Sequence, residues 1–250
     1  MISNEKKQEV LSQINEIEKS IIKQDGNDIT IGALCMDKRA ESAELAKASD
    51  SLMPILRTSL VINWKESAMK SRYDRFRKEF PQISTLSDLK RVIDRTDALK
   101  FCKEYLNINA NSSVPDKNPK YCLLRELTNG FLEYQKFHNL TSEIEAIRHW
   151  SAAVKLDDLK KDFIGKRRGV GPGVVQNIRL NLGERVIKPD RHVIGVMKQF
   201  LQVDIPFDRY NEFAKHIGKD PRYLDCILFE YGKAKKISAG ADCEAGDTGH

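Results

Sequence analysis

No apolar run in this sequence approaches the roughly 20 residues that a helix needs to cross a bilayer. The sequence also lacks a G-x-x-x-x-G-K-[ST] loop for nucleotide phosphates and any His/Cys/carboxylate cluster with metal-ligand spacing. Its five cysteines include no C-x-x-C pair, which disfavours a disulfide framework, a zinc ribbon and a cysteine-ligated iron–sulfur cluster. We therefore expect free thiols in an intracellular protein that has no membrane-spanning segment.

The composition that is present is that of a globular protein. Of the 250 residues, 40% are hydrophobic and 31% are charged, which is enough to build one large domain or two closely packed lobes. The first eight residues are polar and contain no signal-peptide core, so we expect a cytoplasmic protein. Residues 239–250 are small, polar and glycine-rich, and we expect this tail to be disordered.

Hydrophobic periodicity predicts an all-α fold. Apolar residues recur at three- and four-residue steps, as they do on the buried face of a helix. The stripes are Val10, Ile14, Ile17 and Ile21; Met69, Tyr73, Phe76 and Phe80; Leu86, Leu89 and Ile93; Leu124, Leu127, Phe131 and Tyr134; and Leu224, Ile227, Leu228 and Tyr231. The stretch at residues 29–36 is compatible with a short strand.

Positive charge is concentrated in one segment. Between Lys155 and Lys198 there are eleven Lys or Arg residues against five Asp or Glu residues, so this segment carries the whole formal excess of +6. A local excess of this kind favours a polyanionic partner, and nucleic acid is the first candidate.

Residues 156–183 have the pattern of a helix, a glycine hairpin and a second helix. The apolar positions of the first helix are Leu156, Leu159, Phe163 and Ile164, and those of the second are Val174, Val175, Ile178 and Leu182. Between them lies the turn Gly169-Val170-Gly171, followed by Pro172, which suits the first position of a helix. Gly183 ends the second helix.

Such a hairpin suits a DNA backbone, because glycines let phosphates approach the main chain and a helix N-terminus favours an anion. The expected DNA contacts are Lys166, Arg167, Arg168, Gly169, Gly171, Gly173 and Val174. These contacts hold phosphates and read no sequence. The alternative is an ordinary Gly-Pro turn that joins two packed helices beside solvated charge.

After the hairpin, the sequence Pro189-Asp190-Arg191-His192-Val193 opens a third helix. A G-V-G hairpin, a short linker and this D-x-H-V segment together resemble the helix-hairpin-helix DNA glycosylase superfamily, the endonuclease III-like group. The likeness covers residues 156–201, under a fifth of the chain. It implies that Asp190 is catalytic and that His192 helps to position the backbone or the DNA. An aspartate is also among the best helix N-caps, and the two roles are compatible.

Two departures from the family decide the type of mechanism that the resemblance implies. Where lyase-competent members carry a Schiff-base lysine, this sequence has Gly173, and the cluster cysteines of some members are absent. The expected enzyme is therefore a monofunctional glycosylase that uses water to cleave the N-glycosidic bond of a flipped base. Asp190 would stabilise the oxocarbenium-like state and activate the water. No cofactor is needed, although main-chain carbonyls of such hairpins can hold a monovalent cation.

The resemblance also implies two helical lobes with the active site in the cleft between them. Residues 1–59 would pack with 185–238 as one lobe, and residues 60–184 would form the middle lobe that contains the hairpin. The partner is expected to be double-stranded DNA, bound by a monomer associated with the nucleoid. The excised base cannot be read from the sequence.

Two other functions remain open. One is a defence glycosylase that removes hypermodified bases from phage DNA, and it shares the same chemistry. The other is a helix-hairpin-helix module that binds DNA without catalysis.

Overall fold

The computed structural model describes residues 2–24, 26–36, 50–61, 66–108 and 118–239. They fall into two compact units. The first contains the described residues up to 36 together with residues 183–239, and the second contains the described residues from 50 to 182. The expected boundary at residues 59/60 is wrong, because it would cut a buried helix, residues 52–61, that belongs entirely to the second unit. The expected tail lies outside the described residues from residue 240 onward.

The first unit begins with helix α1 (Asn4–Lys19), whose first turn is capped by the Ser3 hydroxyl. Val10, Ile14 and Ile17 are fully buried on this helix, as the periodicity predicts. Ile21 was expected on the same stripe, but the helix ends at Lys19 and Ile21 is 68% exposed. It starts strand β1 (Ile21–Gln24), which pairs in antiparallel register with β2 (Asn27–Thr30). Residues 31–36 are helical instead of extended.

The rest of the first unit is helical. It contains α9 (Arg191–Gly195), which continues as a π-helical turn (Val196–Phe200), then a 3-10 turn (Phe207–Arg209), α10 (Tyr210–His216) and α11 (Pro221–Lys235). Helix α11 packs against α1, α9 and α10 around one apolar core. The expectation of free thiols fails at Cys35 and Cys226, which form a disulfide across 191 residues of sequence, with their Cα atoms 5.6 Å apart. Spacing cannot reveal such a distant pair.

The second unit is built around α2 (Leu52–Val61), on which every residue from Leu52 to Leu60 is buried. Helices α3 (Glu66–Glu79), α6 (Pro119–Phe137) and α8 (Pro172–Asn181) pack against it. Helices α4 (Leu86–Arg95), α5 (Ala98–Glu104) and α7 (Glu143–Ala153) complete the unit. The apolar stripe expected on α4 is buried. The helix begins with a capping box formed by Thr85 and Asp88.

The first helix of the expected helix-hairpin-helix is absent as an α-helix. Residues 156–168 form turns and one 3-10 turn, Leu159–Lys161. The cause is Asp162, whose Oδ1 accepts hydrogen bonds from the N–H groups of Ile164 (2.9 Å) and Gly165 (2.7 Å) and from the indole of Trp150 (2.7 Å). An aspartate that bonds to the following main chain in this way competes with helix formation.

The second expected helix is confirmed as α8, with Pro172 at its first position and Val174, Val175 and Ile178 buried. The prediction of a mainly helical protein is also confirmed, and the exception among the described residues is the β1–β2 hairpin. None of the described helices combines the length and the apolar character needed to cross a membrane.

Candidate functional site

Asp190 is the N-cap of α9. Its Oδ1 accepts hydrogen bonds from the main-chain N–H groups of His192 (2.9 Å) and Val193 (3.0 Å). Its other oxygen, Oδ2, has no hydrogen-bond partner among the described residues, and the residue is half-buried. The cap therefore fixes the carboxylate with one oxygen and leaves the second available to a water or a substrate.

The chain that leads to Asp190 is also fixed. The main-chain N–H of Asp190 donates to the carbonyl of Lys188 at 2.8 Å, which closes a three-residue turn around Pro189. The restricted φ of proline is close to the value that such an inverse γ-turn requires. On the far side of the turn, the Lys188 N–H donates to Oδ1 of Asp225 at 2.7 Å. These two hydrogen bonds thus set the direction in which Asp190 enters α9.

Asp225 lies on α11 and is a functional candidate that the sequence does not reveal. The residue is only 6% exposed, and its Oδ2 accepts from Nη1 of Arg222 at 3.1 Å. Burial raises the pKa of the Asp225 carboxyl to about 6, and the nearby Asp190 acts in the same direction, against the lowering effect of Arg222 and of the Lys188 N–H. The sequence marks it only as one polar residue inside an apolar helical stripe.

The His192 side chain contacts other residues of the protein, whereas the sequence predicted that it helps to position the backbone or the DNA. Its Nδ1 donates to the carbonyl of Ile237 at 2.9 Å, and its ring meets Phe229 edge-on with centroids 5.7 Å apart. The neighbouring main chain reinforces this contact, because the Ala239 N–H donates to the Arg191 carbonyl at 2.8 Å. His192 therefore holds the segment 237–239 against α9, which is a way of positioning the helix that Asp190 caps.

The glycine hairpin in the second unit has the geometry of a tight turn into a helix. Gly169 has φ +80°, a left-handed conformation that favours glycine, and Gly171 is the N-cap of α8. The N–H groups of Gly171 and Gly173 have no hydrogen-bond partner among the described residues. Val174 was expected to offer a third amide, but its N–H already donates to the Gly171 carbonyl at 3.0 Å.

Of the three expected basic contacts, two face solvent and one is engaged inside the unit. Lys166 and Arg168 are exposed and have no ion pair in the described part of the chain. Arg167 is 17% exposed and forms ion pairs with Glu126 and Glu133. It lies against Gly130, where an added Cβ would come within 2.8 Å of Arg167 Nε. Arg167 is therefore a structural brace between α6 and the hairpin.

Several other basic residues between Lys155 and Lys198 are also paired within the protein. Lys161, Arg185 and Lys198 pair with Asp158, Asp220 and Asp204. The Arg179 guanidinium donates to the carbonyls of Ser151 and Val154 at the end of α7. Much of the charge that the sequence assigns to a polyanion is therefore already paired within the protein, and Lys166 and Arg168 remain as the cations beside the hairpin.

A buried lysine in the second unit is also invisible to the sequence pattern. Lys120 is 6% exposed in the first turn of α6, and burial, together with the charge of Arg72, lowers the pKa of its amine to about 8. An amine with this property is the type that forms Schiff bases.

Asp190 belongs to the first unit, and the hairpin with its two exposed cations belongs to the second. No group of three or more His, Cys, Asp or Glu among the described residues is placed to hold a metal ion. In comparisons with known proteins, no family model matches this chain, and no curated protein or solved structure matches it either.

Proposed function

We propose that this protein is a monofunctional DNA glycosylase, which hydrolyses the N-glycosidic bond of a base flipped out of double-stranded DNA. The observation that carries the proposal is the state of Asp190. One oxygen is fixed by two main-chain N–H groups, and the other has no hydrogen-bond partner among the described residues. The sequence resemblance to helix-hairpin-helix glycosylases gives this aspartate its role.

The chemistry requires a carboxylate at a defined position. As the base departs, positive charge develops on the deoxyribose, and a fixed anion near C1′ stabilises that charge. The same carboxylate accepts a proton from the attacking water. Fixing Asp190 through Oδ1 supports both steps, because the anion needs little reorganisation when charge develops. The base must first leave the stack, which costs a few kcal/mol.

DNA binding in this proposal uses the hairpin. The N–H groups of Gly171 and Gly173 at the start of α8 suit a phosphate, and Lys166 and Arg168 add charge beside them. Arg167 is left out of the contact set because its guanidinium is occupied by Glu126 and Glu133.

The test is an excision screen that compares the wild type with Asp190→Asn. Labelled duplexes carry uracil, thymine mismatches, oxidised or alkylated purines, or modified cytosines from phage genomes, and strand breaks are scored before and after alkali. Asparagine is also a good N-cap, so this variant keeps the Oδ1 bonds and removes only the charge. We expect base release to fall by about 10²- to 10⁴-fold while duplex binding is unchanged.

Asp97→Asn is the matched control, because Asp97 caps α5 through Oδ1 in the same manner and has no proposed role in the reaction. Undiminished turnover in Asp190→Asn would remove Asp190 from the mechanism. Duplex binding without excision of any base in the panel favours the non-catalytic module. Breaks that need no alkali indicate a Schiff-base lysine, and Lys120 is the first residue to substitute. The base that is excised separates repair from defence.

A further inference from the structure

An aromatic cluster lies on the surface of the second unit, next to the basic hairpin. Phe137, at the end of α6, is 71% exposed. Its ring stacks on Phe163, with centroids 5.9 Å apart and ring planes 22° apart, and it meets His138 edge-on at 4.9 Å. Two neighbouring aromatic rings therefore hold the exposed Phe137 ring in place, and we name this cluster the Phe137 platform (Phe137, His138 and Phe163).

Two basic side chains lie close to the Phe163 ring of the platform. The Lys166 Nζ lies 5.6 Å from the centre of the Phe163 ring, and the Arg167 guanidinium carbon lies 5.9 Å from it. Arg167 is neutralised by two glutamates, but Lys136 and Lys166 are exposed and have no ion pair within the described ranges. The ligand that suits this surface has a flat neutral face and an anionic backbone.

We propose that the Phe137 platform stacks an unpaired nucleobase of single-stranded DNA, whose phosphates contact Lys136 and Lys166. This inference rests on the proposed function, because the hairpin that contains Lys166 is the assigned DNA contact. An aromatic face accepts any of the four bases, since each has a π-face, and the neighbouring cations track the phosphates. The charge around the platform distinguishes this occupant from a second copy of the chain, whose own cations would be brought close to these.

The experiment measures the affinity of the full chain for two probes by fluorescence anisotropy. One probe is a labelled oligothymidylate of about 12 nucleotides, and the other is a blunt duplex of similar length. Phe137→Ala should weaken oligothymidylate binding by about 5- to 100-fold, the range expected for loss of one base–aromatic stack. Duplex binding should change less than about twofold, because phosphate contacts dominate it.

Two further variants separate stacking from simple apolar contact. Phe137→Leu keeps the apolar side chain but has no aromatic face, so it should lose as much affinity as Phe137→Ala. Phe137→Trp should match or exceed the wild type. Because Phe137 is so exposed, circular dichroism should show the same helix content in all three variants.

Each failure has a different meaning. If Phe137→Leu binds oligothymidylate as tightly as the wild type, stacking is not used and the inference is wrong. If the duplex binds but the oligothymidylate does not, the inference fails while the proposed DNA-binding function stands. If neither probe binds, both fail. A wild type that sediments as a dimer, beside a monomeric Phe137→Ala, makes the platform a protein interface and overturns the inference.

Discussion

The buried carboxylate of Asp225 accepts the main-chain N–H of Lys188 at 2.7 Å, two residues before Asp190. Because Asp225 lies on α11, this bond connects α11 to the turn that leads into α9, and Arg222 of the same helix bonds to the other carboxylate oxygen. Because Asp190 enters α9 directly after this turn, Asp225 is a positioning residue for the proposed reaction.

Asp225 gives folding stability a specific dependence on pH. Burial raises the pKa of this carboxyl from 3.8 to about 6, so its contribution to stability is fully present below about pH 4 and is lost as the pH rises through about 6. At about 1.4 kcal/mol for each pH unit of difference, this loss is about 3 kcal/mol. Between about pH 4 and 7, urea unfolding should show Asp225→Asn gaining that amount relative to the wild type.

The control for that series is Asp220→Asn, which removes a carboxylate from the N-cap of the same helix. A gap between the wild type and Asp225→Asn that stays constant over the whole pH range would contradict the raised pKa.

The three neighbouring basic residues of the hairpin should give two different phenotypes. Lys166→Ala and Arg168→Ala should each reduce the slope of log K against log salt by about 1, because each loses one phosphate contact. Arg167→Ala should keep the slope but lower the unfolding temperature, since it removes the guanidinium that pairs with Glu126 and Glu133. Anisotropy titrations at several salt concentrations and thermal unfolding of each variant test this division. An Arg167→Ala variant with normal stability and a reduced slope would return Arg167 to the DNA contacts.

Gly165 should not tolerate any side chain. An added Cβ would lie 2.3 Å from the Leu159 carbonyl oxygen, so the turn before the hairpin would have to move. We expect Gly165→Ala to lower the free energy of unfolding by about 1–3 kcal/mol, as overpacking usually does, and to weaken duplex binding. Lys160→Ala, an exposed substitution in the same turn, is the control and should change neither. Equal stability of both variants in urea would show that the turn is not held as the structure has it.

The disulfide can be tested by counting thiols. With Cys35 joined to Cys226, the two thiols of these residues should become reactive in denatured protein only after reduction, and Cys102 and Cys122 should react without it. Replacing both residues with alanine should lower the free energy of unfolding by about 2–4 kcal/mol under oxidising conditions. Cys102→Ala, at a buried free thiol, is the control for loss of packing alone. Five reactive thiols without reductant would restore the expectation of free cysteines.

Local periodicity predicted much of the helical structure. The stripes at Val10 to Ile17, Leu86 to Ile93 and Leu124 to Tyr134 are buried on helices, because an apolar face at 3.6-residue spacing has few other ways to leave water. Apolar periodicity gave a wrong prediction where hydrogen bonds from a nearby polar side chain to the main chain compete with helix formation. Asp162 turns residues 156–168 away from an α-helix although their apolar spacing is helical.

Long-range partners explain the rest of the difference. The role of Asp190 as a cap could be predicted from its own segment, whereas Asp225, 35 residues later, could not be connected with it. The Cys35–Cys226 pair and the Arg167 brace depend likewise on residues that only the fold brings together. Charge counting overestimated the free positive surface for the same reason, since it cannot tell a paired arginine from an exposed one.

The discontinuous first unit has a consequence for biosynthesis. The second unit is complete once residue 182 has left the ribosome, whereas α1 and the β1–β2 hairpin must wait for α9 to α11 before their core can form. During that interval Val10, Ile14 and Ile17 lack their partners from α11, and the nascent chain carries an unpaired apolar helix while the second unit folds. In a circular permutant, residue 239 is joined to residue 2 and the chain opens near residue 182, so the ribosome completes one unit before it starts the other. This permutant should aggregate less during expression than the natural chain order.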